Sequence, residues 1–431
     1  MKKNLEKFIH CAFYIFVFLL PWQTRWIYRE AELNGGIWEY GRLSLYFTEV
    51  ILLIILLLAG ILLVIKFNRL NKEQRRKELI NEIKGSRLIT LLIIVWCYLS
   101  IFWSANKLVS WYSFLKLIEG AGIYWLLTSK LLDLKLKKIS LALIFSAVVQ
   151  ALFSLAQFIW QWSPASKWLG LSLHGPIFSG TSVIETNFIR ILRSYGSLPH
   201  PNILAGFLVI SLWLLIILII KNNLEKQYYY LLSLVMVILT SGLFFTFSRA
   251  SWLALFISLL IYWVFLRIKQ LSLKKFFLGA SLIAVVFIIL SLANYSLIIT
   301  RLTGGERLEI KSNQERLSGY QQVFSIISHN WLLGVGNGNY TYQLYQNNPD
   351  QTAWDYQPVH DTLLLILAEL GIIGLTLFII LIISVFKNKS HYWPALVAVI
   401  ILGLFDHYFK SLYIGLILWW LVLGFNRLEN V

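Results

Sequence analysis

The sequence predicts an all-α polytopic membrane protein of about twelve transmembrane helices, with a large extracytoplasmic loop carrying an amphipathic helix. Three observations predict it. Of 431 residues, 58% are hydrophobic and 14% charged, against roughly 25% charged in soluble proteins. Apolar runs near the roughly 20 residues that cross a bilayer recur from end to end. The positive charge is confined to alternate connections.

The expected spans are 8–22, 46–65, 88–104, 111–129, 139–160, 202–220, 228–247, 250–266, 276–295, 362–386, 393–408 and 411–425. The first follows Lys2, Lys3 and Lys7 and runs into LLPWQTRW without a small-residue cleavage site, so it is expected to be a retained anchor. Connections 1–7, 66–87, 130–138, 221–227, 267–275, 387–391 and 426–431 hold 24 Lys+Arg and 7 Asp+Glu in 65 residues, whereas the opposite connections hold 13 Lys+Arg in 140. Basic loops stay in the cytoplasm, which puts both termini inside. The basic side accounts for the whole net charge of +17, so the basic pI is a topology signal and nucleic-acid binding is excluded. The chain is expected to be one integral-membrane domain, 1–431. Trp22, Trp26, Trp103, Trp160, Trp162, Trp393, Trp419 and Trp420 lie near span ends and are expected to anchor at the interface. Cys11 and Cys97 lie in apolar runs and are expected to be buried, unpaired side chains.

Two outer loops are long, 161–201 and 296–361, and long loops with their own pattern carry function. Within the second, Ser312 and Glu315 have capping-box spacing, followed by Leu317, Tyr320, Phe324 and Ile327 at helical intervals. This predicts a surface helix whose polar side carries Arg316, Gln321 and His329. The glycines of LLGVGNGNY lack a preceding strand and a following Gly-Lys-Ser/Thr, so a nucleotide loop is rejected and a tight turn or close backbone approach is expected.

Polar groups costly beside lipid gather at three outer span ends. RSYGSLPHPN supplies Arg193, His200 and Asn202; FTFSRASW supplies Arg249 between two spans; QPVHD supplies His360 and Asp361. Taken with WLLGVGNGNY, these segments resemble the O-antigen ligase and polymerase family with its Wzy-type C-terminal region, over roughly 190–375. RSYGSLPHPNILAGFL is similar to the family's Arg-x-x-Gly…Pro-Asn segment and FTFSRASWLALFI to its Thr-x-Ser-Arg hairpin. His360, Asp361, nine residues, then Gly371-Ile-Ile-Gly374 reproduces the spacing of the ligase signature. Asp361 departs from it, standing where the signature has an uncharged polar residue. Its carboxylate is expected beside His360, where it would favour the imidazolium.

The resemblance implies a C-type glycosyltransferase-like fold in the bacterial cytoplasmic (inner) membrane. It implies transfer of a glycan from undecaprenyl diphosphate to a hydroxyl of a glycan, lipid or protein acceptor, on the outer face. Bidentate guanidinium donors suit the charge growing on a leaving diphosphate, which assigns that role to Arg193 and Arg249. His360 is the candidate base for the acceptor hydroxyl. His200, Asn202, Arg316 and Asp361 are candidate substrate-binding residues. No tight His and carboxylate cluster is visible on that face, so no metal or other cofactor is expected, and attack opposite the diphosphate would invert the anomeric centre. A polysaccharide polymerase or protein O-oligosaccharyltransferase differs only in acceptor. A transporter or lipid flippase would instead use intramembrane charges, for which Glu119 and Glu369 are the candidates, unless these make helix contacts.

Overall fold

The structure is a computed structural model describing residues 2–129, 131–186, 189–222, 225–388 and 390–428. Lys130, Lys389 and Glu429, which enter the charge tally, lie outside the described residues.

The chain opens with α1 (Lys2–Leu19), then β1 (Arg25–Arg29), β2 (Glu32–Leu33), β3 (Gly36–Ile37) and β4 (Leu43–Tyr46). Next come α2 (Phe47–Asn68), α3 (Lys72–Glu82), α4 (Ser86–Ser100), α5 (Lys107–Thr128) and α6 (Leu136–Trp160). The hairpin β5 (Val183–Glu185) and β6 (Arg190–Leu192) precedes α7 (Pro201–Lys221), α8 (Lys226–Phe244), α9 (Arg249–Ile268) and α10 (Lys274–Ala293). The chain ends with α11 (Tyr295–Thr303), α12 (Arg307–Asn330), α13 (Tyr340–Asn347), α14 (Thr362–Phe386), α15 (Trp393–Gly403), α16 (Tyr408–Ser411) and α17 (Tyr413–Leu428).

Among the described residues seven helices, α2, α6, α7, α8, α9, α10 and α14, are long and apolar enough to cross a membrane. The other expected spans fall on α1, α4, α5, α15 and α17, of which α4, α15 and α17 are shorter apolar helices. Of these seven the most enclosed is α7: apolar on every side, it packs against α6, α8, α9, α10 and α15, as a helix without a polar face must.

Four features depart from the sequence reading. Segment 23–46 folds as two antiparallel ribbons, β1 with β4 and β2 with β3; strands of two to five residues leave no periodic trace. The surface helix α12 starts at Arg307, so Ser312 is interior rather than a cap, and its buried stripe is Val323 and Ile326 while Leu317 and Phe324 stay exposed. Cys97 is buried but Cys11 is exposed, and both are free. Trp419 and Trp420 are buried in the core instead of lying at its edge, and Trp103 donates through Nε1 to the Gly334 carbonyl.

Helix α14 is broken at Gly371, whose φ of 66° lies in the left-handed region. The glycine-rich loop repairs the break. Val335 and Gly336 donate their N–H groups to the carbonyls of Ala368 and Glu369, and Ile372 donates to the Trp331 carbonyl. A Cβ on Gly371 would lie 2.1 Å from the Leu332 oxygen. The glycines of the loop and of the Gly-x-x-Gly pair therefore serve close backbone packing. Below the loop, α12, α13 and the first turns of α14 share a second core around Tyr340, Tyr356, Val323 and Leu365. This anchors the surface helix over the bundle end.

Candidate functional site

The hairpin β5–β6 delivers Arg193 to the start of α7. The turn after it is held from α6: Gln157 Oε1 accepts from the N–H groups of Tyr195 and Gly196, and Gln150 Oε1 from that of Ser197. His200 caps α7, its Nδ1 accepting from the Asn202 N–H at 3.1 Å, while Nε2 and the Ser182 hydroxyl are 3.1 Å apart. An accepting Nδ1 requires a neutral ring, and burial drives its pKa down to about 3. Arg193 is buried, donating Nε to the Thr246 carbonyl and Nη2 to Asn202 Oδ1, both at 2.8 Å. Burial, reinforced by the charge of Arg301, lowers its pKa to about 9.

Arg249 opens α9. Its Nη1 donates to the Arg301 carbonyl at 2.7 Å and its Nη2 pairs with Glu309 Oε2 at 3.0 Å. The buried Arg301 also pairs with Glu309 and donates Nη2 to the Phe247 carbonyl at 2.9 Å. Phe247 adopts φ 49°, uncommon for a bulky side chain. Glu309 comes from α12 and lies almost wholly buried between two guanidinium groups.

Arg193, Arg249 and His360, far apart in the chain, line one cavity of about 500 Å³. His200, Asn202, Arg301, Glu309 and Arg316 line it as well. Four arginines against Glu309 and Glu315 leave its wall net cationic. The N-terminal ends of α7 and α9 also open onto it, adding the partial positive charge of unpaired N–H groups. An anion is the ligand these walls favour.

Asp361 does not line this cavity. Its side chain accepts from the Leu364 N–H at 2.8 Å and caps α14, and burial raises its pKa. The carboxylate facing His360 is instead Asp406, with Oδ1 at 3.8 Å from Nδ1. Helix α15 ends at Gly403, so Asp406 and His407 occupy the connection at the bundle end instead of lying within span 393–408. Asp406 Oδ2 accepts from Asn202 Nδ2 at 3.0 Å, and Oδ1 from the His407 N–H at 2.8 Å. Burial alone would raise its pKa, but the surrounding His360, His407 and His200 imidazoles hold it well below the usual carboxylate range. The result is a relay in which Arg193 contacts Asn202, Asn202 contacts Asp406, and Asp406 faces His360.

The absence of a His and carboxylate cluster expected from the sequence is corrected here. His360, Asp406 and His407 offer donor atoms all within 4.8 Å of one another. His407 Nδ1 is 2.6 Å from the Ser411 hydroxyl and the two imidazole rings lie 5.3 Å apart. Sequence reasoning missed Asp406, His407, Arg301 and Glu309. FDHYFK carries the same sign as the other three segments, charged groups at the junction of two apolar runs. Arg316 lies on the cavity wall and reaches the Phe405 carbonyl at 3.5 Å. Glu119 and Glu369 are helix contacts: Lys116 stands between Glu49 and Glu119, and Lys410 pairs with Glu369 at 2.7 Å.

A mostly helical bundle with several membrane-length helices and an arginine-lined, net cationic cavity at one end defines a polytopic membrane protein. Residues 234–379, about a third of the chain, match the family model described as O-antigen ligase. No curated protein matches the chain. The matched region contains Arg249, Arg301, Glu309, Arg316 and His360, whereas Arg193, His200, Asn202 and Asp406 lie outside it.

Proposed function

We propose that the chain is a glycosyltransferase of the ligase type, moving a glycan from undecaprenyl diphosphate to an acceptor hydroxyl at the outer face of the bacterial cytoplasmic membrane. In this reading it spans the membrane twelve times with both termini in the cytoplasm. The observation that carries the reading is the convergence of Arg193, Arg249 and His360 on one cationic cavity.

The diphosphate takes the place of Glu309 between Arg249 and Arg301, while Arg193 is held rigidly by Thr246 and Asn202. As the anomeric bond breaks, charge grows on the leaving oxygens, and fixed guanidinium donors stabilise it most at that moment. His360 takes the proton of the acceptor hydroxyl, and Asp406 at 3.8 Å balances the imidazolium so formed. Attack from the face opposite the diphosphate inverts the anomeric centre, with no metal taking part. The paired states of Glu119 and Glu369 argue against a transport pathway.

The test is to incubate purified protein with undecaprenyl-diphosphate saccharide and a panel of acceptors, comparing the parent with His360→Ala, Arg193→Ala and Arg249→Ala. Transfer by the parent in detergent, lost in all three variants, is the expected result. Retention of transfer by all three would refute the assigned roles. Activity needing a sealed vesicle would mark a transporter, and the acceptor used separates ligase from polymerase and protein glycosylation.

A further inference from the structure

A second polar hollow lies beyond His407, built largely from the ribbon segment that the sequence reading left without a role. Segment 25–46, α5, the 337–341 turn and the start of α17 enclose a cavity of about 110 Å³. Through shared walls at Arg25, Glu39, Tyr40 and Tyr46 it joins a hollow of about 320 Å³, which His200 also lines. His200 belongs to the arginine cavity too. The Tyr40 ring stands edge-on to His407 at 6.1 Å, and His407 is 5.3 Å from His360. The joined hollows form a trough that meets the arginine cavity at His200 and whose Tyr40 stands against His407, the neighbour of His360.

Its chemistry differs from that of the arginine cavity. Each cation on the inner wall is already paired: Arg25 and Arg42 with Glu39, Lys116 with Glu49, and Lys410 with Glu369. The wall therefore presents no unpaired charge to select an anion. Tyrosines 40, 46, 112, 340 and 413 line it, each combining an apolar ring with a polar tip. Three polar atoms on this wall, Asn337 Nδ2, Tyr340 Oη and Thr341 Oγ1, have no hydrogen-bond partner among the described residues, although their residues are 1%, 1% and 3% exposed. Buried polar groups left unpaired are costly, so a cluster of them marks a place where a ligand or water completes the bonding.

We propose that this trough seats the terminal sugar of an uncharged saccharide acceptor and presents its hydroxyl to His360. The proposal rests on the glycosyl-transfer reading above. The acceptor oxygen forms its bond to the anomeric carbon as the bond to the diphosphate oxygen breaks. The hydroxyl proton passes to His360, and the electron pair leaves with the diphosphate.

The experiment uses the full chain in detergent with a synthetic undecaprenyl-diphosphate disaccharide. Four acceptors are compared: maltotetraose, chitotetraose, tetragalacturonic acid and a Ser/Thr peptide. Transfer to a neutral tetrasaccharide is expected. Tyr340→Phe and Thr341→Val remove hydroxyls that bond to no protein group, so a purely structural role would leave the kinetics unmoved. Each is expected to raise the acceptor KM roughly 3- to 10-fold, the worth of one hydrogen bond, with donor KM and thermal midpoint as in the parent. Preference for the galacturonate or the peptide, or an unmoved acceptor KM in both variants, overturns the proposal while leaving glycosyl transfer intact. Failure of the parent to release glycan from the donor to any acceptor, water included, overturns both.

Discussion

Replacing Asp406 by Asn removes one charge from behind His360 at nearly constant volume. At 3.8 Å a full ion pair is worth about 4 kcal/mol at an effective dielectric constant near 20. The His360 side chain is 37% exposed, and solvent screening reduces this to about 2 kcal/mol. In the proposed transfer the interaction exists only once His360 has taken the acceptor proton, so its loss would raise the barrier without weakening donor binding. The expected outcome is a fall in kcat of about 30-fold, with donor KM within about twofold of the parent. The assay is initial-rate glycan transfer at saturating donor and acceptor, with the thermal midpoint measured alongside. Unchanged kcat in a folded variant would refute the relay. A raised donor KM with kcat intact would instead place Asp406 in the anion-binding wall.

Four further outcomes follow from the same geometry. Arg193→Lys cannot serve both the Thr246 carbonyl and Asn202 Oδ1; a point charge replaces a planar fork, and donor kcat/KM should fall at least about tenfold. Gly371→Ala forces a Cβ to 2.1 Å from the Leu332 oxygen at φ 66°, so the thermal midpoint should drop, with backbone strain alone worth about 1–3 kcal/mol. His200 has its pKa lowered to about 3, so the unfolded chain binds its proton first. The stability it contributes is complete above about pH 6.5 and declines as pH falls towards 3, by at most about 1.4 kcal/mol per pH unit; His200→Asn should flatten the midpoint-against-pH curve between 5 and 6.5. Finally, a chelator should leave transfer unchanged, and loss of activity restored by a divalent ion would convert the cluster of His360, Asp406 and His407 into a metal centre.

What could be read before the structure follows from the range of the forces involved. A helix crossing lipid must be apolar along its whole length, so α2, α6, α7, α8, α9, α10 and α14 announce themselves locally. Arg193, Arg249 and His360 were legible for the converse reason, because a charge or imidazole at an apolar helix end needs a partner that the chain must supply. The partners themselves were not legible. Asn202 reaches Asp406 across 204 positions, and Arg249 reaches the Arg301 carbonyl across 52. Asp406 was further disguised because α15 stops at Gly403 inside a run that reads as apolar to 408. Asp361 misled through the opposite error: adjacency in sequence suggested a partner for His360, yet the first turn of α14 needed an acceptor for its unpaired N–H groups and took the carboxylate. A neighbouring carboxylate at a helix start is therefore claimed first by the backbone. The carboxylate that faces an imidazole at such a position has to come from another element, here the connection between α15 and α16.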